Sequence, residues 1–125
     1  MLNSDISSEL RQLTDTNFRD EIERQPGVAL VDFGAAWCPP CQAMAPIVAL
    51  IATEFSGRAT VAAIDIDAEA RTAASYNVRS FPTFLFFRDG QVVDRIVGAV
   101  PKSVLSLRLA TLLDDVTSPA HASKP

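Results

Sequence analysis

The chain has 125 residues, the size of one ordinary domain, and 48% of them are hydrophobic. Eleven basic residues against fifteen acidic ones give a net charge of −4. These values exclude a disordered or collagen-like chain and disfavour nucleic acid and anionic membrane as partners, because the charge repels phosphate.

In chain order, Ser8–Leu13 reads as a short strand. Thr14, Asp15, Thr16 and Asn17 form a cluster of helix-capping residues. Phe18 and Ile22, with the charges Arg19, Asp20, Glu21 and Glu23 between them, read as a short amphipathic helix that Pro26-Gly27 ends. Val28–Val31 is a continuous apolar run, as expected of a strand buried on both faces. It extends to Phe33 and is broken by Gly34-Ala35-Ala36. A helix is predicted from Cys38 to about Phe55, kinked at Pro46 and stopped by Gly57. Ala59–Ile66 reads as a second buried strand, and Asp67–Tyr76 as a helix polar on one side. Thr83–Phe87 is a third apolar strand, and Phe84–Phe87 belong to the core. Asp89-Gly90 is a hairpin signal, and Gln91–Val97 is the returning strand. Ser103–Leu113 is a terminal amphipathic helix with Val104, Leu105, Leu107, Leu109, Leu112 and Leu113 as its apolar face. The remaining segment, 115–125, lacks periodicity and reads as a flexible tail.

The order β-α-β-α-β-α-β-β-α implies an α/β fold: a central mixed β-sheet with helices on both faces. Chemistry in such sheets gathers at the carboxyl ends of the parallel strands, which is where Cys38 falls. No membrane span is expected. The longest apolar run, Ala43–Ala52, contains Pro46 and is well short of the roughly 20 residues needed. The start, MLNSDISSEL, has no basic segment followed by an apolar one, so a cytoplasmic location is expected.

Cys38 and Cys41, in a C-x-x-C spacing, are the only cysteines. A structural zinc site needs about four ligands, and the one further soft ligand, His121, sits in the tail, so zinc would have to be shared between two chains. A structural bridge across so short a loop would stabilise little. A reversible dithiol–disulfide pair accounts best for the spacing.

The run Val31–Pro46, VDFGAAWCPPCQAMAP, resembles the thioredoxins. So do Phe81-Pro82-Thr83, Arg88-Asp89-Gly90 and Val97-Gly98-Ala99, at spacings that need no insertion. The resemblance covers about Ser8 to Asp114. It implies a thioredoxin fold over residues 1–114 and a thiol-disulfide oxidoreductase that reduces protein disulfides. Its partners would then be protein disulfides and a thioredoxin reductase as electron donor, the protein acting as a monomer with no cofactor beyond its own cysteine pair.

Cys38, at the N-cap of its helix, is the expected nucleophile, because the helix dipole and free N–H groups stabilise a thiolate there. Cys41, one turn further in, is expected to be more buried and to resolve the mixed disulfide. Asp32 sits in the most apolar strand, so its pKa should rise and it could move a proton for Cys41. The resemblance implies the same role. Pro39 and Pro40 fit the first helical turn. Phe81-Pro82 resembles the family's cis-proline loop, and its backbone could pair with an extended substrate. Trp37, Phe81, Pro82, Val97, Gly98 and Ala99 would then form a flat apolar patch around Cys38, suited to varied protein substrates.

Five positions depart from the family's usual pattern. Pro39 stands for a glycine, Gly34 for a second tryptophan, Ala36 for an acid and Ser80 for a glycine. Ala63 stands where a lysine usually faces the buried acid, which should make Asp32 harder to ionise. Two other readings remain open: the same chemistry run as a disulfide oxidase or isomerase in an oxidising compartment, and a non-catalytic adaptor.

Overall fold

A computed structural model describes residues 9–117. Five strands form one mixed sheet in the order β1-β3-β2-β4-β5: β1 (Leu10–Leu13), β2 (Val28–Gly34), β3 (Thr60–Asp65), β4 (Thr83–Arg88) and β5 (Gln91–Val97). The first three are mutually parallel, β4 runs antiparallel to β2, and β5 runs antiparallel to β4. Three helices complete the fold: α1 (Pro39–Glu54), α2 (Ala70–Ser75) and α3 (Lys102–Thr117). Strands and helices alternate as the sequence predicts.

The period-2 alternation of β2 and β4 divides the core into two layers. Val28, Leu30, Phe84 and Phe86 pack against Met44, Val48 and Ile51 of α1 and Leu105, Leu109 and Leu112 of α3. Ala29, Val31, Phe33, Leu85 and Phe87 face the other way, against Phe18, Ile22, Ala73 and Val78. Each fully buried Phe or Leu of this kind contributes about 1.5–3 kcal/mol. Asp32 shares its β2 face with Leu30, so it lies on the α1 side of the sheet.

Three local outcomes differ from the sequence reading. Arg19–Glu23 winds as a wide π-type turn rather than an α-helix, with the Arg24 N–H reaching back to the Arg19 carbonyl at 2.8 Å. Burial of Phe18 and Ile22 holds it in place. Upstream, Thr14 and Asn17 cap each other reciprocally, while Asp15 reaches across to accept from the Thr72 N–H at 2.8 Å in α2. The apolar face of α3 is narrower than expected. Leu105, Leu109 and Leu112 are buried, but Leu107 is 69% exposed and Val104 also reaches the surface, because a helix sitting on a sheet buries only one stripe. Finally, α3 continues through Thr117, so the first three residues of the segment read as a tail are helical; 118–125 lie outside the described residues.

The β4–β5 hairpin turns at Asp89 and Gly90, both with positive φ. Gly90 is obligatory for a second reason: a Cβ there would fall 2.0 Å from the Glu23 carbonyl oxygen.

Candidate functional site

β2 ends at Gly34, and α1 begins five residues later. The connecting turn closes through the Cys38 N–H, which donates to the Ala35 carbonyl at 3.2 Å. Cys38 is the N-cap of α1, in extended conformation (φ −92°, ψ 112°), with prolines at the first two helical positions. Pro39 and Pro40 are both exposed. Their missing N–H groups cost little there, since the first turn of a helix has no internal acceptors for them. The first N–H past the prolines belongs to Cys41. It points back at Cys38 Sγ, 3.3 Å away. Cys38 and Cys41 are joined as a disulfide with Cα atoms 5.2 Å apart.

The sequence predicts Cys41 to be the more buried of the two cysteines. In the bonded form the two are equally inaccessible, Cys38 at 4% and Cys41 at 7% exposure. Cys38 Sγ is covered by the Phe81 carbonyl oxygen, 3.8 Å away. That carbonyl belongs to the only cis peptide bond among the described residues, Phe81–Pro82. Regular pairing of β4 starts just after it, at Thr83.

The other predicted residues gather at the same end of the sheet. Trp37 is 61% exposed. Its ring meets Phe81 edge-on, with centroids 6.4 Å apart. Val97 and Ala99 are exposed, and the Gly98 N–H donates to the Pro82 carbonyl at 2.8 Å. Pro82 is itself buried, so it is not part of the surface patch predicted for it; it underlies that patch and is tied to Gly98, just past β5. Asp67 was missed by sequence reasoning. Its Oδ2 accepts from the Trp37 indole Nε1 at 2.5 Å and fixes the ring. The two residues are thirty positions apart, and no local pattern links them.

Asp32 lies beneath, on the α1 face of β2. It is 8% exposed, and its Oδ1 has no hydrogen-bond partner. Ala63 is its neighbour on β3 and Phe84 its neighbour on β4, so no charge from either adjoining strand compensates the burial. Loss of hydration pushes its pKa up to about 7, in the direction expected of a lone buried carboxyl. At neutral pH the group is poised between acid and base. Among the described residues, no cluster of three or more His, Cys, Asp or Glu side chains could hold a metal ion. No helix among them is long and apolar enough to cross a membrane.

Comparison with known proteins agrees with this geometry. The thioredoxin family model matches residues 9–111. The chain is similar to thioredoxin 2 of Chlorobaculum tepidum, 41% identical over 104 residues, spanning 83% of this chain and 95% of the relative. It is 44% identical over 95 residues to a thioredoxin of Staphylococcus saprophyticus, spanning 76% and 89%. It is 43% identical over 98 residues to thioredoxin 1 of Nostoc sp., spanning 78% and 92%. The Cys38–Cys41 pair, closed as a disulfide at a helix N-terminus, is the redox group of a thiol-disulfide oxidoreductase, and the chain belongs to the thioredoxin family.

Proposed function

We propose that the enzyme reduces protein disulfides by the following division of labour. Cys38, as a thiolate, attacks a substrate disulfide and forms a mixed disulfide. Asp32 takes the proton of Cys41, and Cys41 attacks Cys38 Sγ. The substrate leaves reduced, and the Cys38–Cys41 disulfide remains. The protein substrate lies on the patch of Trp37, Phe81, Val97, Gly98 and Ala99, with Pro82 beneath it and Pro39 and Pro40 bordering it.

The observation that carries this reading is the environment of Cys38 Sγ. It accepts the Cys41 N–H at 3.3 Å at a helix N-terminus, where negative charge is stabilised, and it adjoins an exposed aromatic surface. Only a thiolate attacks a disulfide, so this sulfur is the one suited to act first. Asp32 is suited to the second step because a base works best when its pKa is near the working pH.

The reduced pair is regenerated by a reductase, and the protein acts in the cytoplasm as a monomer with no cofactor beyond its cysteines. Support for these statements comes from the family and the acidic charge of the chain. A Cys41→Ser variant tests the scheme. It should accumulate stable mixed disulfides between Cys38 and protein substrates in a reducing cell lysate. Trapping none would show that protein disulfides are not what Cys38 attacks.

A further inference from the structure

The disulfide has a second side. A pocket of about 180 Å³ opens beside Gly34, lined by Asp32, Cys41, Ala45 and Ala63 with Gln12 and Asp65 at its polar margin. Cys38 is not among its lining residues. The pocket exists because the lining side chains are small. A Cβ at Gly34 would sit 3.3 Å from Cys41 Sγ and 3.6 Å from Asp32 Oδ1, so the space beside this glycine is bounded by both atoms. That Oδ1 belongs to a side chain more than nine-tenths buried and has no partner. Space for a ligand, an unsatisfied acceptor and a reactive sulfur therefore meet at one point.

We propose that this pocket is a second entrance to the redox centre, through which a small thiol carrying an amine, of the cysteamine class, reacts at Cys41 rather than at Cys38. Size and charge define the class. A volume of about 150 Å³ is enough for a benzene-sized molecule, so the pocket is of a size for a small molecule. Its lining carries two carboxyl groups, Asp32 and Asp65, one amide and no basic residue, so an ammonium is favoured over a carboxylate.

The chemistry favours attack at this sulfur. A small thiolate forms a bond to Cys41 Sγ, and the Cys38–Cys41 bond breaks. Cys38 leaves as a thiolate, held by the Cys41 N–H and the helix N-terminus. The more acidic thiol is the faster leaving group, so attack at Cys41 expels the better one. The proton of the incoming thiol passes to the Asp32 carboxylate. A second small thiol then attacks the bound small-thiol sulfur. The small disulfide departs, Cys41 leaves as a thiolate and recovers the proton from Asp32, and Cys38 takes the proton of the second thiol. Two small thiols are oxidised to one disulfide, and the cysteine pair is reduced.

Single-cysteine variants test this without any protein substrate, so the outcome is independent of the reading of the Trp37 face. In Cys38→Ser, Cys41 reacts with cystamine to form a mixed disulfide and release cysteamine. In Cys41→Ser, Cys38 does the same. Both rates are followed by mass spectrometry. Adding Gly34→Val fills the pocket and is expected to slow the Cys41 reaction by at least about tenfold, while the Cys38 reaction changes by less than about twofold, because access governs exchange rates. Ala63→Leu fills the same space from β3 and should act alike, which guards against a folding effect of the first substitution. With the pocket open, cystamine should also outpace dithiodiglycolate at Cys41 by about tenfold, a preference lost once the pocket is filled. An unchanged Cys41 rate in the filled variants, or equal slowing of both cysteines, overturns the proposal.

Discussion

The two sulfurs of one disulfide occupy opposite environments. Cys38 lies at a helix terminus, under a backbone carbonyl and beside the exposed ring of Trp37. Cys41 faces inward, towards alanines, Gly34 and an unpartnered carboxyl. The first surrounding stabilises a thiolate and presents it to large partners. The second disfavours charge. In the proposed scheme this difference sets the order of action, with the outer sulfur charged first and Asp32 serving the inner one as base. The proposed proton transfer would account for Asp32 standing in a strand otherwise made of apolar residues, where any charged group is costly.

The sharpest way to break this comparison is to remove the outer sulfur. Cys38→Ser should reduce the turnover of a protein disulfide to the uncatalysed background, as followed by precipitation of a disulfide-bonded protein substrate. Retained activity would mean that Cys41 can initiate the reaction, and the proposed order would be lost.

Removing the proposed base, Asp32, is expected to have the next largest effect. Asp32→Asn should slow resolution of the mixed disulfide by about a hundredfold at pH 8, measured by single-turnover stopped flow, with little effect on the first attack. The same variant should change stability. Asp32 holds its proton to about pH 7 when folded, against an ordinary carboxyl value of 3.8. Between these values the unfolded chain has released the proton and the folded chain retains it. Stability therefore falls as pH rises through this window, by about 4 kcal/mol in all. Denaturant melts should show Asp32→Asn more stable than the parent at pH 8 by up to that amount, and no more stable below about pH 4.

A third change sharpens the electrostatic side. Ala63→Lys brings an ammonium next to Asp32 across the β2–β3 register. It should lower the Asp32 pKa by at least about one pH unit, as read by NMR titration of the carboxyl carbon. The smallest effect is expected at the outer surface. Asp67→Asn weakens the acceptor that fixes the Trp37 indole. It should raise KM for protein substrates by about fivefold, the equivalent of about 1 kcal/mol, and leave the Asp32 titration unchanged.

The order of elements was legible because the buried strands are continuous apolar runs bounded by Gly, Pro and capping residues. The cysteines and Asp32 were legible for a related reason: their types are conspicuous where they stand, a C-x-x-C after a strand and an acid within one. Less visible was what depends on distant residues meeting. The π-type turn at Arg19–Glu23 follows from how Phe18 and Ile22 dock, which helical periodicity alone does not encode. The outward turn of Leu107 follows from α3 burying a single stripe, that of Leu105, Leu109 and Leu112. The Trp37–Asp67 pair and the pocket at Gly34 each join residues from separate elements. Gly34 and Ala63 stood out singly as departures from the family pattern. Only the pairing of β2 with β3, and the placing of α1 above them, makes the two substitutions walls of one space.

The central claim is that Cys38 and Cys41 form a reducing couple, and its most direct test is their reduction potential. The protein would be equilibrated with a defined thiol–disulfide buffer and the Trp37 fluorescence followed. The account predicts a value below about −250 mV, that of a reductant regenerated by a reductase. A value near −120 to −180 mV would identify an oxidant or isomerase and contradict both the proposed direction and the cytoplasmic setting.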